Sequence, residues 1–396
     1  MANLTDLTSQ CIRCGFCLES CPTFIETGVE TESPRGRIYL VRSAEEGKIA
    51  WEDARSHIDA CLGCRACETA CPSAVKYGDI FEMARDRLEK ERGSFPKRAL
   101  LAGMTKPGLF RVQLQLGRLL PGKKVPALLS RLLSGQAPEA ERPLLPEHRT
   151  FPPLDESTLP PVKAEVYMLE GCVMRVLYPH VNEITRRMLR RIGYQVRDVG
   201  QGCCGALHAH NGFLDKAHDM AAGLKQALHA ELPLIVNSAG CGSVLKENPN
   251  FAKQAFDASE FLVQNGLLDV LREAKGLAGV TATYHDACHL SHGQGIRSEP
   301  RALLKAVPGL TMVDLPEAEM CCGSAGIYNI TQPKMARTLL ERKWANVVKT
   351  EASVVATGNP GCYAWIAQAA RENGRRIEVL HTLELLERAF GEPKTE

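Results

Sequence analysis

Residues 11–22 read CIRCGFCLESCP and residues 61–72 read CLGCRACETACP, one formula, C-x2-C-x2-C-x3-C-P, written twice. These eight cysteines are half of the sixteen in a chain of 396 residues. At roughly 150 residues per domain, that length supports two or three buried cores, so disulfides are not needed to hold a small scaffold together. The opening MANLTDLTSQ has neither a basic stretch nor an apolar one, so no secretory leader is expected. Thiols in a reducing, cytoplasmic setting serve metal binding or redox chemistry rather than disulfides. Lys plus Arg is 48 against 46 Asp plus Glu, too even for a general nucleic-acid binder, which carries a basic excess. An apolar fraction of 44% with little net charge argues against disorder. No apolar run approaches the roughly eighteen residues of a membrane-spanning helix.

The repeated formula is the spacing that holds two [4Fe–4S] clusters in bacterial ferredoxins, the fourth cysteine of each run ligating the other cluster. Three thiolates two residues apart wrap a loop around three irons of a cube, and the fourth iron takes a ligand from elsewhere. The expected sets are Cys11, Cys14, Cys17 and Cys71 for one cluster, and Cys21, Cys61, Cys64 and Cys67 for the other. Tetrahedral zinc also uses C-x2-C pairs, but it would leave the third cysteine and the Cys-Pro of each run without a role. Cubanes held by four thiolates have no open iron, so such a pair moves single electrons.

The other eight cysteines fall into two matching sets, Cys172, Cys203, Cys204, Cys241 and Cys288, Cys321, Cys322, Cys362. Matching members are offset by 116 to 121 residues, which is duplication at the scale of a domain. AEVYML precedes Cys172 and LPLIVNSAG precedes Cys241; VTATYHDAC and SVVATGNPGC repeat the order around Cys288 and Cys362. Helices are expected near residues 181–192 and 301–307. Two α/β lobes follow, with cysteines at strand ends, where ligands collect in α/β sheets. Gly205 and Gly323 after each pair permit a close backbone approach. Each set reads as a metal or redox site; a buried cluster of inert thiols is the alternative.

Between Cys71 and Cys172 the composition shifts. Eleven of the 23 prolines lie from Pro96 to Pro161, ending in PPLDESTLPP, a linker signature. From Arg92 to Pro138 there are nine Lys or Arg residues and no acid, with Leu at helical spacing in RALLAGM, LFRVQLQLGRLL and VPALLSRLLSG. That stretch is a solvated basic face or an amphipathic surface for anionic lipid or a partner. The expected division is residues 1–92, a helical two-cluster ferredoxin-type domain; 93–162, a basic helical segment and linker; 163–276 and 277–396, the two lobes.

The double CCG arrangement resembles the cysteine-rich domain of heterodisulfide reductases. In that family a fifth cysteine in a final C-x2-C completes a noncubane cluster. Here its positions are Ser238 and Asn359, which argues against disulfide-reducing catalysis by this chain. SPRGRIYLVRSAEEGK, VYMLEGCV, GCCGALHAH, SAGCGSVLKE and MCCGSAGIYNIT together resemble the iron–sulfur subunit of glycolate oxidase, from about Cys11 to Glu387. The resemblance implies partner subunits carrying FAD that oxidise glycolate to glyoxylate. It implies electrons passing through two [4Fe–4S] clusters, with one or two further clusters in the CCG lobes, toward a quinone-type acceptor. It also implies peripheral contact with the cytoplasmic face of the inner membrane. Iron–sulfur subunits of lactate-utilisation and anaerobic glycerol-3-phosphate dehydrogenase systems share the plan. No catalytic residue is expected on this chain, and no G-x-G-x-x-G or P-loop accompanies the cysteines.

Two further groups draw attention. Arg35 and Arg37 either offset the charge of a thiolate cluster or start a helix with surface ion pairs. His208, His210, His285, His289 and His292 lie close to CCG cysteines, as structural histidines, as substitutes for the missing ligand, or as proton relays.

Overall fold

The computed structural model describes residues 3–119, 131–132, 135, 149–200, 202–374, 376–391 and 394–395. Residues 3–119 are helical. Short helices Leu4–Ser9, Pro22–Thr27, Pro34–Glu45, Trp51–Asp59, Ala66–Thr69 and Tyr77–Glu91 surround the first eight cysteines. The helix Pro34–Glu45 starts where it does because Ser33 caps it, its hydroxyl accepting from the Gly36 N–H, with Pro34 at the first helical position. Its stripe of Ile38, Val41 and Ala44 packs with Ile58, Ile80, Phe81 and Leu88, and Cys61 and Cys67 belong to the same core.

The rest is α/β, as the sequence leads one to expect. Strand β1 (Arg149–Thr150) pairs antiparallel with β10 (Lys394–Thr395) near the end of the chain. Lobe one is a parallel sheet of β2 (Ala164–Leu169), β3 (Tyr194–Asp198), β4 (Leu234–Val236) and β5 (Ala255–Asp257), in the order β3-β2-β4-β5. Lobe two repeats it with β6 (Thr281–His285), β7 (Thr311–Val313), β8 (Val354–Thr357) and β9 (Glu378–His381), in the order β7-β6-β8-β9. Parallel pairing requires crossovers, supplied by helices such as Pro179–Arg191 and Ser298–Lys305. In each lobe the chain leaves the first strand to one side and returns on the other. The switch point therefore falls at the carboxyl ends of the first three strands, where such sheets form a crevice.

Sequence reading found two strands per lobe and placed each CCG pair on a loop. The structure adds β3 and β7 ahead of those loops and β5 and β9 at the far edges. The strands were hidden because YQVRD is half-exposed and mixed in polarity, while AFD and TMV are only three residues long.

The lobes share one core, in which Val166, Ile184 and Leu262 pack with Ala282, Leu303 and Leu380. A buried polar knot crosses this seam. Glu384 accepts from Arg149 at 2.8 Å and contacts His180 Nε2 at 2.9 Å, while His381 Nε2 contacts the Asn237 carbonyl at 3.0 Å. Burial alone would raise the Glu384 pKa; His180, Arg149 and the His381 N–H hold it below the ordinary value instead. Burial pushes His381 down to about 4. Both shifts have the same sign in stability. A depressed pKa in the folded state means that the unfolded chain binds the proton first, so stability is complete above the unfolded value and declines as pH falls. For His381 the loss runs from about pH 6.5 down to 4 and amounts to about 3 kcal/mol. His381→Asn keeps a side-chain acceptor at the start of the following helix and should flatten that decline. Guanidinium unfolding of both proteins at pH 7.5 and about 5 measures it; equal losses in the two would refute the assignment.

Candidate metal centres at the cysteines

All sixteen cysteines are free thiols. Cys11, Cys14, Cys17 and Cys71 line one surface pocket, with Cys67, Pro34, Arg35 and Tyr77 also on its wall. Cys14 is exposed and its three companions are half-buried. Arg35 lies over this loop, donating to the Arg13 carbonyl at 3.2 Å and pairing with Glu30 at 2.7 Å.

Cys21, Cys61, Cys64 and Cys67 are buried behind them. Tyr77 Oη donates to Cys61 Sγ at 3.5 Å, and Thr23 Oγ1 lies 3.3 Å from Cys21 Sγ. Arg37 is fully buried, with Nη1 3.9 Å from the same sulfur. Burial raises the Cys64 and Cys67 pKa values well above the ordinary thiol value, and neighbouring thiols add to the effect. Burying several thiolates beside one guanidinium is unfavourable without a metal; cationic iron would supply the missing charge. This donor set of soft sulfurs fits an iron–sulfur cluster, as does the outer one.

Cys64 also feels the thiol of Cys288, and Cys321 in turn feels Cys64. Cys64 shares a packed core with Cys321, Cys322 and Cys362. His289 Nε2 contacts the Gly63 carbonyl at 2.9 Å, and Tyr328 Oη donates to the Ala60 carbonyl at 2.8 Å. The inner cysteines of the helical part thus rest directly on lobe two.

Within lobe one, Cys172 opens the helix after β2, Cys203 and Cys204 follow β3, and Cys241 lies in the first turn of the helix after β4. All four converge at the switch point, with Cys203 and Cys172 sulfurs 3.8 Å apart and Cys204 in contact with both Cys203 and Cys241. Lobe two links Cys288, Cys321, Cys322 and Cys362 in the same succession. Gly205 and Gly323 have φ of +81° and +90°, and a Cβ there would lie 2.7 and 2.6 Å from the carbonyl oxygens of Ala217 and Ala336. The close approach that these glycines permit is that of a packed helix.

Ser238 and Asn359 each precede the helix bearing the last cysteine of their set. Asn359 Oδ1 accepts from the Gly240 N–H of lobe one at 3.3 Å, while its Nδ2 lies 3.6 Å from Cys362 Sγ. The basic segment proves to be a cover. Helices Phe95–Met104 and Pro107–Leu119 place Leu100, Met104, Phe110 and Leu114 on a cavity of about 890 Å³. Cys172, Cys203, Cys204, Cys241 and Cys288 line the same cavity. The second helix exposes Leu109 and Val112, and Leu116, also exposed, sits at the rim of the cavity. Most of the third expected stretch, residues 125–135, lies outside the described residues.

The five histidines separate by their partners. His210 contacts Glu82 at 2.8 Å and packs edge-on against His289; His292 contacts Thr69 at 2.9 Å. His208 is buried edge-on against Phe213. His285 differs: it is fully buried, and the Ala318 carbonyl beside it makes no well-formed hydrogen bond to either ring nitrogen.

The fold and its cysteines define a class: a dicluster domain joined to a duplicated cysteine-rich domain. Residues 8–75 match the family model for the 4Fe-4S dicluster domain, and residues 166–246 and 282–367 match that for the cysteine-rich domain. The chain is 34% identical to the probable glycolate oxidase iron-sulfur subunit of Bacillus subtilis, over 96% of this chain and 94% of that one. It is also 34% identical to the glycolate oxidase iron-sulfur subunit of Escherichia coli, over 96% and 93% respectively. It therefore belongs to the glycolate oxidase iron–sulfur subunit family. A fumarate reductase (CoM/CoB) polypeptide from Methanothermobacter marburgensis is 28% identical over 96% of this chain and 72% of its own. A hypothetical protein from Helicobacter pylori shares the fold, with a TM-score of 0.54 at 10% identity, covering 99% of this chain and 77% of that one. No helix among the described residues is long and apolar enough to cross a membrane.

Proposed function

We propose that this chain is the electron-transfer subunit of a flavin-dependent glycolate dehydrogenase, taking electrons from FAD on partner subunits and passing them to a quinone-type acceptor. The observation that carries this reading is the serial placement of the thiol sets. Cys14 of the outer set is exposed, Cys64 of the inner set is buried, and Cys64 packs in one core with the cysteines of lobe two. In this reading Cys11, Cys14, Cys17 and Cys71 hold one [4Fe–4S] cluster and Cys21, Cys61, Cys64 and Cys67 the other. Such clusters supply one-electron storage. The eight CCG cysteines hold the further metal sites, and the hydroxy acid is oxidised on another polypeptide. The basic helices with Leu109 and Val112 exposed suit the anionic, cytoplasmic surface of a membrane.

Ile12 and Phe16 flank Cys14 and are 68% and 67% exposed, an apolar rim where a flavoprotein would bring its cofactor near the outer set. Ile12→Glu combined with Phe16→Glu should weaken association with the flavoprotein at least tenfold, by placing unpaired charges in a desolvated contact, while iron content stays unchanged. Anaerobic co-purification, followed by glycolate-dependent reduction of the clusters monitored by electron paramagnetic resonance, tests the whole reading. Fewer than about eight irons per chain, with zinc in their place, would overturn it.

A further inference from the structure

The two lobes are duplicates, yet their thiol sets stand in different surroundings. Position by position, His285 at the end of β6 corresponds to Leu169 at the end of β2, each three residues before the first cysteine of its set. Lys343, on the helix Pro333–Lys349 behind Gly323, corresponds to Leu224 on the helix Leu214–Ala227 behind Gly205. All four side chains are buried: Leu169 at 3% exposure, Leu224 at 1%, His285 at 0% and Lys343 at 1%. At these two positions lobe one carries hydrocarbon and lobe two an imidazole and an ammonium group; the imidazole near the lobe-one thiols, His208, comes from the short helix after the cysteine pair and faces Cys203.

A fully buried imidazole with no well-formed hydrogen bond, and only the Ala318 carbonyl close by, has lost water without replacement unless something takes its lone pair. A ring nitrogen of His285 and the sulfurs of Cys322 and Cys362 all lie within 4.8 Å of one another. Neutral imidazole and thiolate are the donors that zinc and iron both accept. The Lys343 ammonium donates to the Glu317 and Ala318 carbonyls and lies within electrostatic reach of Cys321, Cys322 and Cys362. A fixed buried cation there offsets the negative charge of a thiolate-rich centre.

We infer that lobe two holds a metal through His285, Cys322 and Cys362, and that lobe one, with Leu169 in the equivalent place, holds none in this manner. The inference deepens the reading of the CCG lobes as metal sites and rests on it. The missing fifth cysteine of lobe two is compensated from a different strand, by nitrogen rather than sulfur.

The test uses the full chain, purified anaerobically. Wild type should contain one metal beyond the irons of the N-terminal clusters that disappears, at least tenfold, in His285→Leu, the variant that copies lobe one. His285→Cys should retain it with sulfur in place of nitrogen. If that metal is zinc, X-ray absorption at the zinc edge reads the nitrogen ligand; if it is iron, hyperfine coupling to ¹⁵N-labelled histidine reads it. Full occupancy in His285→Leu, or a wild-type centre with sulfur ligands alone, would overturn the inference. Should His285→Leu fail to fold, the wild-type spectra and His285→Cys decide. The proposed function has its own mark of failure, the absence of about eight irons from the N-terminal cysteines, so the two are separable.

Discussion

Cys64→Ala is expected to halve the iron bound by the N-terminal cysteines, from about eight atoms to about four, and to abolish electron delivery to the acceptor. The packing cost is small, since removing one sulfur from a buried site leaves a cavity worth about 1 kcal/mol. The functional cost is large because of position. Cys64 is packed in one core with Cys321 and Cys322 of lobe two and is electrostatically coupled to Cys288. A chain lacking the inner centre should still bind its flavoprotein through the intact rim at Ile12 and Phe16, and should still be reduced at the outer centre. Acceptor reduction should fall at least a hundredfold. Iron analysis and paramagnetic resonance of reduced protein, alone and in the complex, provide the check. Cys64→Ala with undiminished iron and turnover would show that the inner set is not a cluster site.

Arg37→Met should cost about 3–5 kcal/mol of stability, the range expected when one partner of a buried ion pair is removed and the other remains. Arg37 donates to the His57 carbonyl at 2.6 Å, the Thr23 hydroxyl at 3.0 Å, the Glu32 carbonyl at 2.7 Å and the Glu32 carboxylate at 2.6 Å. Methionine fills much of the space but donates to none of them; the Glu32 carbonyl keeps the Thr23 hydroxyl and its carboxylate keeps His57, while the buried charge loses its guanidinium. The same substitution removes the positive charge nearest Cys21, so the potential of the inner centre should fall. Arg37→Lys returns the charge without the planar fork. It should restore most of the potential but only part of the stability. Denaturant unfolding and redox titration of the three proteins separate the two roles. Equal stability of Arg37→Met and wild type would refute the structural role.

This outcome also resolves the pair of arginines in SPRGR. Sequence placed both beside the first cysteine run; the structure gives them unlike duties, Arg35 on the exposed outer loop and Arg37 in the core. Composition cannot separate them, because the difference lies in which face of one helix turns inward.

The cysteine sets and the two-lobe α/β plan were legible because each rests on local spacing or on hydrophobic runs such as LPLIV and SVVAT. The edge strands were not, since three to five residues without a clear apolar run acquire strand geometry only from a neighbour that is already in place. The covering role of the basic helices was invisible for a related reason: Phe110 and Leu114 read as the apolar side of an amphipathic helix, whatever lies beneath. His285 had a visible signal, its place three residues before a cysteine at a strand end. Its lack of a well-formed hydrogen bond is a tertiary fact.

Asn359 shows how a position can change trade. Where heterodisulfide reductase relatives of this domain carry a thiol, this chain has an amide whose oxygen holds the Gly240 N–H of the opposite lobe and whose nitrogen reaches Cys362. The residue fastens two halves together at the point where a ligand would have belonged to one of them. Cysteine there would add a donor to lobe two and remove one of the hydrogen bonds that join it to lobe one. Coordination and cohesion compete for a single side chain.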